Sequence, residues 1–289
     1  MTIRACTFAE YAQLDAVNFS TLRAIAKSPK AYAYLRAQQG ARPDADTYRL
    51  GRASHTAVLE PRRFLREYTL WDKMTIKGDK IAPRRGKAWE AFSEQSAGKT
   101  VLTVAQYELA QDLSVVVRDD PVASRYLSAD GQAEATLVWT DERYGLECKA
   151  RVDWLCSPVP GEPGAICDLK FVNDIEPDMF GRAMARHRSH VQAAWYQEAV
   201  FRVTGERQPY KLIAVQTRNE PDVAVYDVPN DALELGREEY ETWLQRLDRA
   251  RQTRHYHGVG GGYELTLQLP RWAWGADDNE DTSGIGLIG

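Results

Sequence analysis

The 289-residue chain has few cysteines, no long apolar run and no large excess of either charge. Each shortage excludes something. Cys6, Cys148, Cys156 and Cys167 form no C-x-x-C pair, so neither a zinc or iron–sulfur motif nor a disulfide framework is expected, and buried free thiols are. No stretch approaches the roughly 18 apolar residues that span a bilayer, and MTIRACTFAEYAQ lacks the apolar centre of a signal peptide. The cytoplasm is the expected compartment, with no membrane as partner. Lys and Arg number 37 against 41 Asp and Glu, a formal net charge of −4, which argues against coating nucleic acid by bulk positive charge. What remains is ordinary: 44% hydrophobic and 27% charged residues exclude disorder throughout and leave material for a sizeable core.

Apolar spacing predicts helices over about 18–39, with Asn18 or Ser20 as N-cap, over 51–59 ending near Pro61, and over 86–97 and 103–119, with Pro121 as punctuation. The texture then changes to strands at 133–140, 146–156 and 165–172. In the second, Leu146, Cys148, Ala150, Val152 and Trp154 alternate with Glu147, Lys149, Arg151 and Asp153. A long helix (176–203), two strands (211–217, 223–228) and a charged helix (231–254) follow. This order predicts an α/β fold, a mixed central β-sheet flanked by helices, with a helical N-terminal region. A single domain is expected over 1–274, its helical part about 18–120 and its core about 130–255. Residues 275–289 hold Asp277, Asp278, Glu280 and Asp281 among glycines and are expected to be a flexible acidic tail.

The chemistry concentrates in Asp153 and in Asp168-Leu169-Lys170. Residues i and i+2 of a strand share a side, so Asp168 and Lys170 point together, and an adjacent strand would bring Asp153 beside them. Two carboxylates and a lysine on one sheet are costly without compensation. A hard cation such as Mg²⁺, which takes carboxylate and water oxygens, would compensate. A second D/E-x-K, Glu147-Cys148-Lys149 after Asp141, competes. The first is preferred because its strand is more apolar, because its upstream carboxylate lies in a strand, and because the helix after it carries Gln192-x-x-x-Tyr196, residues that share a helix face. Glu147 and Lys149 could still line the margin of the site.

Several motifs occur in order: Gly51-x-x-x-His55 with Leu59-Glu60-Pro61, Gly98-Lys99-Thr100-Val101, Ala133-Glu134-Ala135, Cys148-Lys149-Ala150-Arg151-Val152-Asp153, Asp168-Leu169-Lys170, His190-Val191-Gln192-Ala193-Ala194-Trp195-Tyr196 and Leu269-Pro270-Arg271-Trp272. This set, over about 18–273, resembles the nuclease domain of RecE (exonuclease VIII) and its phage relatives in the PD-(D/E)XK superfamily. Val152 departs from the proline usual before the strand aspartate. The resemblance implies a PD-(D/E)XK nuclease core. It implies a catalytic set of His55, Asp153, Asp168 and Lys170, with Asp153, Asp168, His55 and the Leu169 carbonyl as metal ligands. Gln192 and Tyr196 would stabilise the site or the DNA end. Glu134 either supports the metal site or merely opens its strand.

The resemblance also implies one or two Mg²⁺ ions, with Mn²⁺ as a substitute, and 5′-to-3′ digestion of one strand of linear double-stranded DNA. The product would be a 3′ single strand for a RecT-type annealing protein, and the enzyme a homo-oligomeric ring, tetrameric in one version. Two alternatives stay open: a RecB-type or CRISPR-associated nuclease acting on single strands, and a DNA-end-binding module that does not cut. For DNA contact the chain offers a basic stretch, Lys73, Lys77, Lys80, Arg84, Arg85 and Lys87 against Asp79 alone, suited to phosphates. Arg182, Arg186 and Arg188 are a second candidate, and Trp71, Trp89 or another aromatic could wedge a duplex end.

Overall fold

The computed structural model describes residues 2–4, 6–38, 46–74, 78, 80–158, 163–269 and 273. Lys77, the Pro270-Arg271-Trp272 part of the last motif and the acidic segment 275–289 lie outside them. In chain order the elements are β1 (Thr2–Arg4), α1 (Phe8–Gln13), α2 (Phe19–Leu22) running into a 3-10 turn (Arg23–Ala26), α3 (Pro29–Ala37), α4 (Asp46–Leu59), α5 (Pro61–Glu67), β2 (Tyr68–Leu70), α6 (Lys87–Gln95), β3 (Thr100–Leu102), α7 (Val104–Asp119), α8 (Pro121–Leu127), β4 (Gly131–Asp141), β5 (Leu146–Cys156), β6 (Ala165–Val172), α9 (Pro177–His187), α10 (Ser189–Thr204), β7 (Tyr210–Gln216), β8 (Val223–Asp227) and α11 (Asn230–Thr253).

Prolines account for most departures from expectation. Pro29, Pro61 and Pro121 each open a helix at its first turn, where a missing N–H costs nothing and the fixed φ is already helical. The expected 18–39 helix is therefore broken, with Asn18 capping its first piece and Ser28 its second. Ser20 is not the cap: its hydroxyl donates to the Asn18 side chain. The long helix at 176–203 is two, broken at Arg188 with φ +55°.

A six-stranded mixed sheet runs in the order β1-β4-β5-β6-β7-β8, with β6 and β7 parallel and the other neighbours antiparallel. On one face Leu137, Ala150 and Val172 pack with Val191 and Trp195 of α10, Leu244 of α11, and Leu22 and Ile25. On the other, Leu169, Phe171, Ile213 and Val215 meet Val58 of α4 and Leu113 and Val117 of α7. A third cluster, Ala53, Ala57, Phe64, Tyr68, Leu102 and Ala110, builds a helical lobe around the β2–β3 pair. Helix α4 serves both, so it ties that lobe to the sheet.

One junction in the sheet is weak. Ten residue pairs join β4 to β5 and seven join β6 to β7, but only Trp154↔Cys167, Leu155↔Ile166 and Cys156↔Ala165 join β5 to β6. The two strands part immediately after Trp154 and Cys167, at Asp153 and Asp168. The pleat of β5 also reverses there. Leu146, Cys148, Ala150 and Val152 share one core as expected, whereas Trp154 packs in the other. The cause lies opposite: Glu134 has φ +52°, and the β4–β5 register skips Glu134 and Asp153.

All four cysteines are free, three of them buried. No helix among the described residues is long and apolar enough to cross a membrane.

Helices α10 and α11 cross at Gly236, where an added Cβ would lie 2.5 Å from the His190 carbonyl oxygen. Alanine in a helix ordinarily gains up to about 1 kcal/mol over glycine. Here the overpacking reverses the sign, and Gly236→Ala is expected to lose about 1–3 kcal/mol in urea unfolding.

Candidate active site

The parted strands bring the expected groups together. Asp168 and Lys170 share a side of β6, with Lys170 Nζ 2.5 Å from Asp168 Oδ2. Asp153 turns its carboxylate across the gap, and its Oδ2 accepts the Leu169 N–H at 2.8 Å. That side chain thus takes the place of the backbone partner lost when the strands diverge. Helix α4 supplies His55, whose Nδ1 lies 3.5 Å from Asp153 Oδ2 and whose ring sits edge-on to Phe171 at 5.1 Å. From the opposite layer, α10 presents Gln192 and Tyr196. Lys170 Nζ donates to Gln192 Oε1 at 3.1 Å, and Gln192 Nε2 donates to the Tyr196 hydroxyl at 3.1 Å. Asp168, Lys170, Gln192 and Tyr196 therefore form one continuous polar chain from sheet to helix.

Burial pushes the Asp153 carboxyl well above the usual range, and the charges of Asp168 and Glu134 push it further, against Lys170 and the Leu169 N–H. Burial lowers the His55 pKa, with a smaller push from Lys170 against Glu134 and Asp168; the ring is neutral at neutral pH. Burial raises the Tyr196 phenol, so it stays protonated. Glu134 stands beside the site, but its Oε2 is held at 2.5 Å by Arg151 Nε. Arg151 also donates to the Cys6 carbonyl and Thr136. The strand alternation puts Arg151 on Asp153's side but gives no sign of this part.

The competing motif has other employment. Lys149 is fully buried and donates to the carbonyls of Tyr11 at 2.8 Å and Leu14 at 2.7 Å, tying α1 to the sheet. Glu147 is exposed and accepts from Thr140, and Asp141 accepts from Arg143. The expectation that Glu147 and Lys149 line the site's margin is not met. Arg188 also differs from expectation: it pairs with Glu239 and lies over Trp243, fastening the α9–α10 junction to α11. Arg182 and Arg186 are exposed one turn apart on α9. Lys80, Arg84, Arg85 and Lys87 are exposed, and none pairs with a carboxylate among the described residues.

Among the described residues, no three His, Cys, Asp or Glu side chains are already gathered as a closed metal cage. The donors present nonetheless fit a hard divalent cation. Asp168 Oδ2 is buried and has no hydrogen bond, its contact with Lys170 being out of line for one. Asp153 is strained toward protonation beside it. Ligands about 2.1 Å from Mg²⁺ at right angles lie about 3 Å apart, close to the 3.5 Å between His55 Nδ1 and Asp153 Oδ2. Few protein ligands suit Mg²⁺, which keeps several waters.

An Asp on one strand, Asp-x-Lys on the next and a polar helix face closing over both define the PD-(D/E)XK class of nuclease fold. Residues 18–265 match the PDDEXK-like domain of unknown function (DUF3799), and the chain belongs to that family. Among solved structures, a candidate exonuclease from Eubacterium rectale shares the fold, with a TM-score of 0.57 and 16% identity over 94% of this chain and 99% of that one. No curated protein matches the chain. Family and fold support a nuclease; a likeness at 16% identity carries the fold alone.

Asp153→Asn keeps an acceptor for the Leu169 N–H while removing a buried charge. In EDTA it is expected to melt at or above the wild-type temperature. Added Mg²⁺ or Mn²⁺ should raise the melting temperature of the wild type and leave that of the variant unmoved, as read by differential scanning fluorimetry.

Proposed function

We propose that the protein is a metal-dependent 5′-to-3′ exodeoxyribonuclease that digests one strand of linear double-stranded DNA and leaves a 3′ single strand. The observation that carries the hydrolytic part is the meeting of Asp153, Asp168 and Lys170 where the strands part. The polarity and the duplex substrate rest on the ordered RecE-like motifs.

Asp153 and Asp168 would hold the divalent cation, Mg²⁺ or Mn²⁺, with the Leu169 carbonyl and His55 beside it. When bound, the cation supplies charge stabilisation at the scissile phosphate and its leaving oxygen. Lys170, as an ammonium, orients the attacking water and offsets the developing negative charge; only as the neutral amine could it take up the water's proton. Gln192 fixes the ammonium of Lys170 by accepting a hydrogen bond from it, and Tyr196 fixes Gln192. This role needs no charge change in either. His55, kept neutral, offers a lone pair rather than a competing positive charge. Glu134 acts through its field on Asp153 and His55, balanced by Arg151.

The same reading places DNA phosphates along Lys77, Lys80, Arg84, Arg85 and Lys87, and along Arg182 and Arg186. It takes residues 1–274 as one catalytic domain followed by an acidic tail, working in the cytoplasm as a homo-oligomeric ring that passes its product to a RecT-type annealing protein.

Lys170→Ala and Asp168→Asn are each expected to cut digestion of linear duplex at least about a hundredfold, with far-UV circular dichroism unchanged. Gln192→Ala should slow it less, since Lys170 keeps its contact with Asp168. Duplexes labelled at the 5′ or the 3′ end give the polarity, and covalently closed circles should stay intact. Near-normal digestion by folded Asp168→Asn protein contradicts the site. Preferential digestion of single strands favours the RecB-type alternative, and duplex ends bound without cutting in Mg²⁺ and Mn²⁺ favour the end-binding one.

A further inference from the structure

Trp71, which could have met a duplex end, is instead buried against Trp89 at 5.3 Å and Phe92 at 4.9 Å. A run of apolar side chains left in solvent lies elsewhere, after α11. The chain turns through residues 255–262, where the Lys30 N–H fastens it by donating to the His257 carbonyl at 3.0 Å. In the arm that follows, residues 263–269, Tyr263, Leu265, Leu267 and Leu269 alternate strictly with Glu264, Thr266 and Gln268. That is the pattern of a strand with one covered face. Yet the arm pairs with no strand among the described residues. Tyr263 is 84% exposed, Leu265 65%, Leu267 85% and Leu269 51%.

The sheet carries the matching half. Strand β8 has β7 on one side and, among the described residues, no strand on the other. The Gln216 N–H donates to the Asp222 carbonyl at 2.8 Å and the Val228 N–H to the Tyr210 carbonyl at 3.0 Å. In that register the peptide groups of Ala224 and Tyr226 face β7, and those of Val225 and Asp227 point away from the sheet. Among the described residues neither Val225 nor Asp227 finds a backbone partner on that outer side. The side chains of β8 are only partly covered, Val223 and Val225 on one face, Ala224 and Tyr226 on the other. Such an edge is a template for one more strand, and strand addition takes its affinity from the backbone ladder and its fit from alternate side chains. The arm has one charge, the negative Glu264, so DNA phosphates are not its partner. Arm and edge lie at opposite ends of α11, whose 24 residues span about 36 Å. The arm of one copy on the edge of the next is therefore a head-to-tail contact, the kind that closes rings.

We infer that residues 263–269 of one copy add as a further strand to the β8 edge of a second copy. Val225 and Asp227 exchange backbone hydrogen bonds with the arm, and its apolar side covers part-bare side chains of β8. Each copy gives one arm and receives one. The acceptor strand pairs with β7, and β7 pairs with β6, which carries Asp168 and Lys170; the joint thus lies two strands from the site. The inference rests on the homo-oligomeric ring proposed above and supplies the contact that builds it.

The test uses two variants and size-exclusion chromatography with light scattering over a range of concentrations. Leu265→Lys/Leu267→Lys spoils the arm at two exposed positions. Val225→Pro spoils the edge, since its N–H points outward and no bond to β7 is lost. Thermal melts check folding, and Asp227→Pro replaces Val225→Pro if that variant melts early. Wild type is expected to be oligomeric and each variant alone monomeric. An equimolar mixture should form dimers and nothing larger, because it holds one sound arm and one sound edge for each pair. Either variant remaining oligomeric, or a mixture that stays monomeric, overturns the inference while the ring stands. A wild type that is monomeric throughout overturns both. Monomeric variants beside a wild type whose mass keeps growing with concentration support the arm and contradict the closed ring. Failure of wild type to digest DNA counts against the proposed activity and leaves these masses to decide the arm.

Discussion

The parting of β5 from β6 is the constraint on which the rest depends. A continuous ladder would bury both strands' polar groups in sheet bonds and leave no room for a substrate oxygen. The ladder stops after three pairs, so a backbone N–H at Leu169 loses its neighbour, and the Asp153 carboxylate supplies the acceptor instead. One bond thereby closes the end of the sheet and aims a carboxylate at Asp168. Every other part of the site faces this opening: Lys170 from the same strand, His55 from one helical layer, and Gln192 with Tyr196 from the other.

The opening is held under electrostatic tension. Two carboxylates lie together in a half-dry cleft with a third, Glu134, close enough to act on them. Partial compensation comes from Lys170 on Asp168 and Arg151 on Glu134. Glu134 also occupies a left-handed backbone conformation, which costs a non-glycine residue about 1–2 kcal/mol. Strain of this kind persists only where surrounding contacts over-determine it. Here the Arg151 side chain and the interrupted register fix it, and the pleat reversal it accompanies separates Val152 from Trp154.

Much of this was legible in the residues. Asp168 and Lys170 sit two apart on an apolar strand, and Gln192 and Tyr196 four apart on a helix, so local geometry alone put each pair on one side. The main strands and the helices at 87–95 and 104–119 were legible for the same reason. What was not legible depends on contacts between distant residues. The apolar strand favoured Lys170 over Lys149, but nothing local says that Lys149 will be buried against the carbonyls of Tyr11 and Leu14 at the end of α1. Nothing local says that Arg188 will adopt φ +55° and reach Glu239. The prolines misled by working as helix starts, and three-residue strands such as β2 and β3 are too short to show a period. The net charge of −4 averages an acidic end with a basic segment, and both were readable in the sequence.

The direct test of the metal-binding opening is a crystal soaked in Mn²⁺ and measured at the manganese absorption edge. The expected anomalous peak lies between the Asp153 and Asp168 carboxylates, in contact with the Leu169 carbonyl. A map with no peak there, whether manganese binds elsewhere or nowhere, would contradict the assignment of the parted strands as the catalytic centre.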